Sequence, residues 1–298
     1  MYRGHEELEN LVWDKNDEDV EKSQNKLRLE ATCRRMKYLA HRKLGKPASI
    51  VAPLLFGGFN LLYPMQVQDQ DEDVMIRVPY PNLVIFSDEK TMYEAATAAF
   101  LAAKTDLRIP RQYLYGVDQE IGPYTIMERV VLSSSVSKML TRPNEDAQAL
   151  HVLDSDAPKP LLTNIWTQVA ASLLQISTLS FPKIGSLTAR PNGATEVTGR
   201  PLAHNMNDMI RLANIPSAVL PAARQTFETA DEWYTALADM HIAQLVFQHN
   251  DLVVSEDDCR NKYVARQIFR RLVKTGRLSS FGFREDNWSA QALEGTSK

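Results

Sequence analysis

The spacing of apolar positions divides this chain into a strand-rich first part and a helix-rich second part. Between residues 50 and 86, "SIVAPLLF", "NLLYPMQV" and "DVMIRVPY" are short β-leaning runs separated by "GG" and "QDQDED", both turn signals. A helix follows: Ser87 can cap it, Asp88 and Glu89 suit its first turn, and Met92, Ala95, Ala96, Ala99 and Phe100 recur at i, i+3, i+4, i+7, i+8. Next come a strand, a turn centred on "DQEIGP", and an apolar strand from Tyr124 to Val131. The order is therefore β-β-β-α-β-β. Ahead of it, residues 16–45 predict one helix, with Asn16 as cap, Asp17, Glu18 and Asp19 in the first turn, Arg42 and Lys43 in the last, and Gly45 as stop. The basic run "RRMKYLAHRK" then reads as a solvated face complementing the helix dipole.

After residue 132 the pattern changes. "SSSVSKMLTRPNEDAQ" and "LDSDAPKP" are linker-like, and helical stripes follow at about 161–179, 229–248 and 255–276. The first carries Ile165, Val169, Leu173 and Ile176; the second carries Trp233, Leu237, Met240 and Phe247. Ser255 with Asp258 three residues on is a capping-box spacing for the third, and Gly276 follows its end. Residues 181–228 are Pro- and Asn-rich with few clear elements, and no internal repeat is visible. The expected architecture is α+β and two-lobed: an N-terminal helical extension (1–48), an antiparallel-sheet lobe (49–131) and a helical lobe (132–298).

Composition narrows the function classes. A chain of 298 residues with 44% hydrophobic and 24% charged residues can bury a full core. A formal net charge of −3 argues against general binding to nucleic acid or an anionic membrane surface. No apolar run approaches the ~20 residues of a membrane span. The polar, acidic start "MYRGHEELENLVWDKNDEDVEK" reads as neither signal nor transit peptide. Cys33 and Cys259 are isolated thiols without metal-ligand spacing, so the expected address is the cytoplasm.

Two features carry candidate chemistry. Gly57-Gly58 between two antiparallel strands can expose backbone N–H groups to an anion, although glycine also simply punctuates strands. Arg77 stands in an apolar run, flanked by Val74, Met75, Ile76 and Val78. Such a cation must reach solvent or find a partner, because an unpaired buried charge is very costly. Glu94 on the following helix, on a side shared with Ala98 and Leu101, is one candidate partner; Glu89 is the second.

A Gly-rich hairpin, a cation on the third strand, a glutamate on the next helix and an apolar strand into "MERV" together resemble the N-lobe of a protein-kinase-like fold. More closely, the chain resembles the aminoglycoside phosphotransferase and choline kinase-like family, in a branch where arginine often replaces the strand lysine. The words that carry the resemblance are "GGFNLLYPMQV", "VMIRVPYP", "YEAATAAFL", "IPRQYLYG", "GPYTIMERV" and "FPKIGSL". It implies ATP with Mg²⁺ as cofactors and phosphoryl transfer to a small-molecule hydroxyl. It further implies that Gly57, Gly58 and Phe59 cover the phosphates, Arg77 contacts them, Glu94 orients Arg77, and the backbone around Met127 and Glu128 meets an adenine edge.

The resemblance also requires a loop with an aspartate for the acceptor hydroxyl, an asparagine five residues later, and a second metal-binding aspartate. In "HNDLVVSEDD", His249 and Asp251 have the H-x-D spacing, but Glu256 occupies the asparagine position and follows a helix cap at Ser255. In "SFGF", Ser280 replaces the carboxylate of the metal-binding triplet. Family members usually carry these loops downstream of a region like "FGFREDNWSAQ". The expectation is a member cut short before its catalytic loop, binding nucleotide with little or no transfer. The alternative is a pseudokinase-type binding or scaffold protein. The six histidines do not cluster with metal-ligand spacing. Trp166, Trp233 and Met240 fit helical core stripes, and Asp231, Glu232 and Asp239 read as solvated positions.

Overall fold

The computed structural model describes residues 6–70, 73–131, 134–142, 152–203, 205–248 and 253–278. An antiparallel sheet forms the N-terminal part and helices dominate the C-terminal part, as the apolar spacing predicts.

The first helical stretch is two helices, not one: α1 (Glu6–Arg28) and α2 (Glu30–Leu44), broken at Leu29, whose ψ of 144° is extended. A helix end leaves carbonyls without internal partners. Here Thr32 Oγ1 donates to Lys26 O at 2.8 Å and the buried Tyr63 hydroxyl donates to Leu27 O at 2.6 Å. Burial pushes the Tyr63 phenol far above its ordinary pKa, so it remains a donor at any physiological pH. Asn16 lies within α1 and caps nothing; the stop at Gly45 does occur, with φ at 73° and its N–H donating to His41 O.

The sheet contains β1 (Ala48–Ile50), β2 (Leu55–Phe56), β3 (Asn60–Val67), β4 (Val74–Pro79), β5 (Gln112–Asp118) and β6 (Gly122–Glu128). "SIVAPLLF" yields two short strands on either side of Pro53, which cannot donate to a ladder, and both pair with β3. The spatial order runs β1/β2, β3, β4, β6, β5, all antiparallel. Period-2 alternation gives the sheet two unlike faces. Leu61, Tyr63, Met65, Val67, Val74, Ile76, Val78, Tyr124 and Ile126 are buried in one core with Leu27, Met36, Leu39 and Ala40 of α1 and α2. The opposite face carries Leu62, Arg77 and Thr125 side by side in register.

That second face meets α3 (Ser87–Lys104), whose Glu94 reaches Arg77. Ser87 is the first helical residue and Phe86 holds the cap position, without a side-chain cap bond. Thr91, Ala95 and Ala96 are the buried residues of α3, while Met92 is 39% exposed, so the buried line is rotated from the one the apolar spacing suggests. Small residues on the buried line, Ala95 and Ala96, let this helix approach the sheet closely. The "DQEIGP" turn is closed by Asp118, whose Oδ1 accepts from the N–H groups of Glu120 and Ile121, and Arg42 of α2 ion-pairs with Asp118.

The C-terminal part comprises α4 (Val136–Leu140), α5 (Lys159–Ser177), β7 (Ser186–Ala189), β8 (Thr195–Gly199), α6 (Met206–Arg211), a 3₁₀ turn at Ser217–Val219, α7 (Ala230–Phe247) and α8 (Glu256–Lys274). The segment that reads as nearly featureless thus holds a hairpin, turned at Asn192-Gly193, and a short helix. Met206, Met209, Ala213, Ile215, Leu220 and Met240 form a second buried cluster, with Trp233 packed against it. Trp166 does not belong to a core: it is 66% exposed, and α5 has no buried residue. Asp239 is not merely solvated either, since Arg270 of α8 pairs with it at 2.5 Å. Among the described residues no helix is long and apolar enough to cross a membrane.

Between α7 and α8, burial and then the charge of Arg266 hold the His241 imidazole below its usual pKa, against an opposing hydrogen bond with Gln244. The unfolded chain therefore takes up a proton more readily than the folded one. This contribution to stability is complete above about pH 6.5, the ordinary histidine value, and is lost as pH falls toward the depressed folded value. Thermal midpoints measured at pH 8 and pH 5.5 are expected to drop less in His241→Gln than in the wild type; equal drops would show that His241 contributes nothing to the acid sensitivity.

Candidate functional site

α3 begins ten residues after Arg77, and its Glu94 meets that strand cation on the sheet face opposite the buried core. Arg77 Nη1 lies 2.8 Å from Glu94 Oε2. Glu94 Oε1 also holds Lys90 Nζ at 2.5 Å, one helical turn back. One carboxylate thus sits between two cations, so this triad carries one net positive charge; Asp208 brings a second carboxylate to the same cavity wall, paired at 3.6 Å with Arg211.

These three side chains line a cavity of about 630 Å³, with Phe59 at its wall and Leu83, Phe86, Ala98, Leu101, Leu202 and Asn207 among its other lining residues. That volume lies within the ~300–1,000 Å³ range of small-molecule sites. Gln112, also in the wall, has a buried amide oxygen without a protein partner, which suits a ligand N–H. A larger depression of about 880 Å³ lies between α7 and the end of α8. Of its carboxylates, Asp239 pairs with Arg270 and Glu232 accepts from the N–H of Glu228.

Gly57, Gly58 and Phe59 form the turn between β2 and β3, closed by Gly57 N–H donating to Asn60 O at 2.9 Å. Of the three only Phe59 lines the cavity. A methyl group on Gly58 would meet nothing, so this turn does not sterically demand glycine there.

Glu89 does not pair with Arg77. Its two carboxylate oxygens accept from Arg200 Nε at 2.9 Å and Nη2 at 2.6 Å, a bidentate fork, and Tyr93 donates to it at 3.2 Å. Neither Met127 nor Glu128 lines the cavity. Glu128 N–H donates to Arg111 O at 2.8 Å and its carboxylate accepts from Arg111 N–H, so sheet pairing already engages the amide that the resemblance offers to adenine.

Ser255 caps α8 as its spacing predicts: Asp258 N–H donates to Ser255 Oγ and Val254 N–H to Asp258 Oδ2, both at 3.1 Å. Glu256 is therefore the first residue of a helix. His249, Asp251 and Ser280–Phe283 lie outside the described residues. Cys33 and Cys259 are free thiols. Among the described residues no group of three or more His, Cys, Asp or Glu could hold a metal ion, so the Mg²⁺ that the resemblance implies finds no ligand set there.

Sequence reasoning misses two residues of this site. Lys90 announces itself only as the i−4 neighbour of Glu94. Arg200 lies just after β8, and the Asn192-Gly193 pair is the hairpin signal that would have located it.

No family model and no curated protein matches the chain. Among solved structures, one similar chain is the Cydia pomonella granulovirus kinase PK-1, at 8% identity over 80% of this chain and 91% of that one, with a TM-score of 0.31. So distant a likeness carries no argument about the fold or the site.

Proposed function

We propose that this chain is a kinase-like protein that holds a nucleotide by its phosphates in the cavity beside the Gly57–Phe59 turn. The observation that carries this reading is the Arg77–Glu94 bridge, 2.8 Å long, inside the cavity wall. A strand cation fixed by a helix glutamate is the device by which protein kinases position nucleotide phosphates. The sheet order, with α3 inserted between β4 and β5 and β6 lying between them in space, supports the same reading.

In it, Glu94 pairs with the Arg77 guanidinium through Nη1 alone, which leaves the other N–H donors of the planar fork for a phosphate. Lys90 adds a second positive charge, and Phe59 shields the cavity mouth. ATP would supply a transferable phosphoryl group, and the finer assignment, from the sequence resemblance, is to the aminoglycoside phosphotransferase and choline kinase type with a small-molecule hydroxyl as acceptor.

The test is binding. ATP or ADP at 100 times its Kd should stabilise the chain by ~2.7 kcal/mol. Arg77→Met should weaken the affinity by about ten- to a hundredfold, the worth of one or two charge-assisted hydrogen bonds, while Lys90 keeps Glu94 partnered and the fold intact. Wild-type affinity in a folded Arg77→Met protein would remove the phosphate role. A second reading, a non-catalytic binding protein, is favoured by α5, where Trp166, Leu173 and Leu174 are all more than half exposed. A wild-type chain that shows no shift with either nucleotide would decide for it.

A further inference from the structure

The Arg77–Glu94 bridge joins a strand to a helix, so its geometry depends on what fixes the helix. The first turn of α3 is fastened to the C-terminal part. Arg200 is 9% exposed and commits all three guanidinium nitrogens: Nε and Nη2 to Glu89, and Nη1 to Pro221 O at 2.9 Å. Its carbon centre lies 4.4 Å from the ring centroid of Phe86, the residue at the cap position of α3. The Arg200 backbone is fixed in turn, its N–H donating to Ala223 O and its carbonyl accepting from Ser186 Oγ. One turn along α3, Tyr93 donates toward Glu89 at 3.2 Å and toward Ala223 O at 3.3 Å.

We infer that Arg200 is a positioning residue for the anion site: it sets the pitch of α3 and thereby holds Glu94 against Arg77. The inference rests on the reading of the cavity as a phosphate site, and it deepens that reading by giving the C-terminal part a share in assembling the site. Glu94 follows Glu89 by five residues, about 7.5 Å along the helix axis, so a small tilt about the first turn displaces Glu94 by an ångström or more. A salt bridge of 2.8 Å does not survive that shift as a direct contact. Lysine cannot replace Arg200, because a single ammonium cannot span both Glu89 oxygens and the Pro221 carbonyl in one plane.

Arg200→Lys in the full chain is the experiment, with two readouts. Side-chain ¹⁵N NMR of Arg77 should show slowly exchanging guanidinium protons in the wild type, identified by their loss in Glu94→Gln, and the same loss in Arg200→Lys. ADP affinity by calorimetry should fall about tenfold, equivalent to ~1.4 kcal/mol. Unchanged Arg77 signals in Arg200→Lys overturn the positioning role, whatever happens to stability. If the wild type does not bind ADP but Arg77 still responds to Arg200→Lys, the positioning role stands and the phosphate reading fails. Should Arg200→Lys not fold, Glu89→Gln, which keeps the side chain's shape and weakens the same fork from the helix side, carries the test. It should broaden the Arg77 signals and lower ADP affinity about threefold, while unaltered signals count against the inference.

Discussion

Deleting residues 1–45 is expected to abolish cooperative unfolding, not merely to shorten the protein. Leu61, Tyr63, Met65, Ile76 and Ile126 are completely buried, and the elements that cover this face of the sheet are α1 and α2, through Leu27, Met36, Leu39 and Ala40. Without them a continuous apolar face of three strands would stand in water, and the Leu27 carbonyl that receives the Tyr63 hydroxyl would be gone. Point variants grade the same effect. Leu39→Ala should cost about 2–5 kcal/mol through lost burial and the cavity left behind. Tyr63→Phe should cost about 1–3 kcal/mol because the Leu27 carbonyl loses its buried donor. Denaturant unfolding is the measurement. A truncated chain that unfolds at the full-length midpoint would show the helices to be a separable extension.

The second large effect is expected at Gly199, the last residue of β8. A methyl group there would lie 2.5 Å from Tyr93 Cζ and 2.6 Å from both Cε1 and the hydroxyl oxygen. The ring cannot swing away freely, because its hydroxyl is bonded to Glu89 and to Ala223 O. Overpacking of this kind costs about 1–3 kcal/mol, and each hydrogen bond broken as Tyr93 retreats adds about 1 kcal/mol. Gly199→Ala should therefore lower stability by roughly 3 kcal/mol or more. Combining it with Tyr93→Ala should recover much of that loss relative to the sum of the single changes. Strict additivity in this double-mutant cycle would mean that the two residues do not press on each other.

Most of the first lobe could be read before any coordinates, because local signals and long-range packing agree there. The runs around Leu61 and Ile76 are mostly apolar and bounded by turn signals, the turn at Asp118 has its Asx chemistry, and Gly45 marks a real helix stop. Arg77 was legible for the same reason: a cation in an apolar strand demands a partner, and the following helix offers Glu89 and Glu94. What failed was whatever distant residues decide. Nothing local separates Glu89 from Glu94; the choice is made by Arg200, 111 residues downstream of Glu89. The break at Leu29 depends on Tyr63 accepting a place beside Leu27, a contact across 36 residues. Trp166 looks like a core residue because its helix is apolar, and periodicity records which side of a helix could be buried without recording whether anything lies there.

Asn207 makes a second connection between the two parts. Its amide nitrogen donates to Leu83 O at 2.8 Å while its amide oxygen accepts from Ile85 N–H at 2.7 Å, so it reads the β4–α3 connection as a base reads its complement. An aspartate of identical shape would set oxygen against oxygen at Leu83. Chemical ageing by deamidation, which puts a negatively charged acceptor where the amide donor stood, would therefore act at this position as a lesion in the joint rather than a silent surface change.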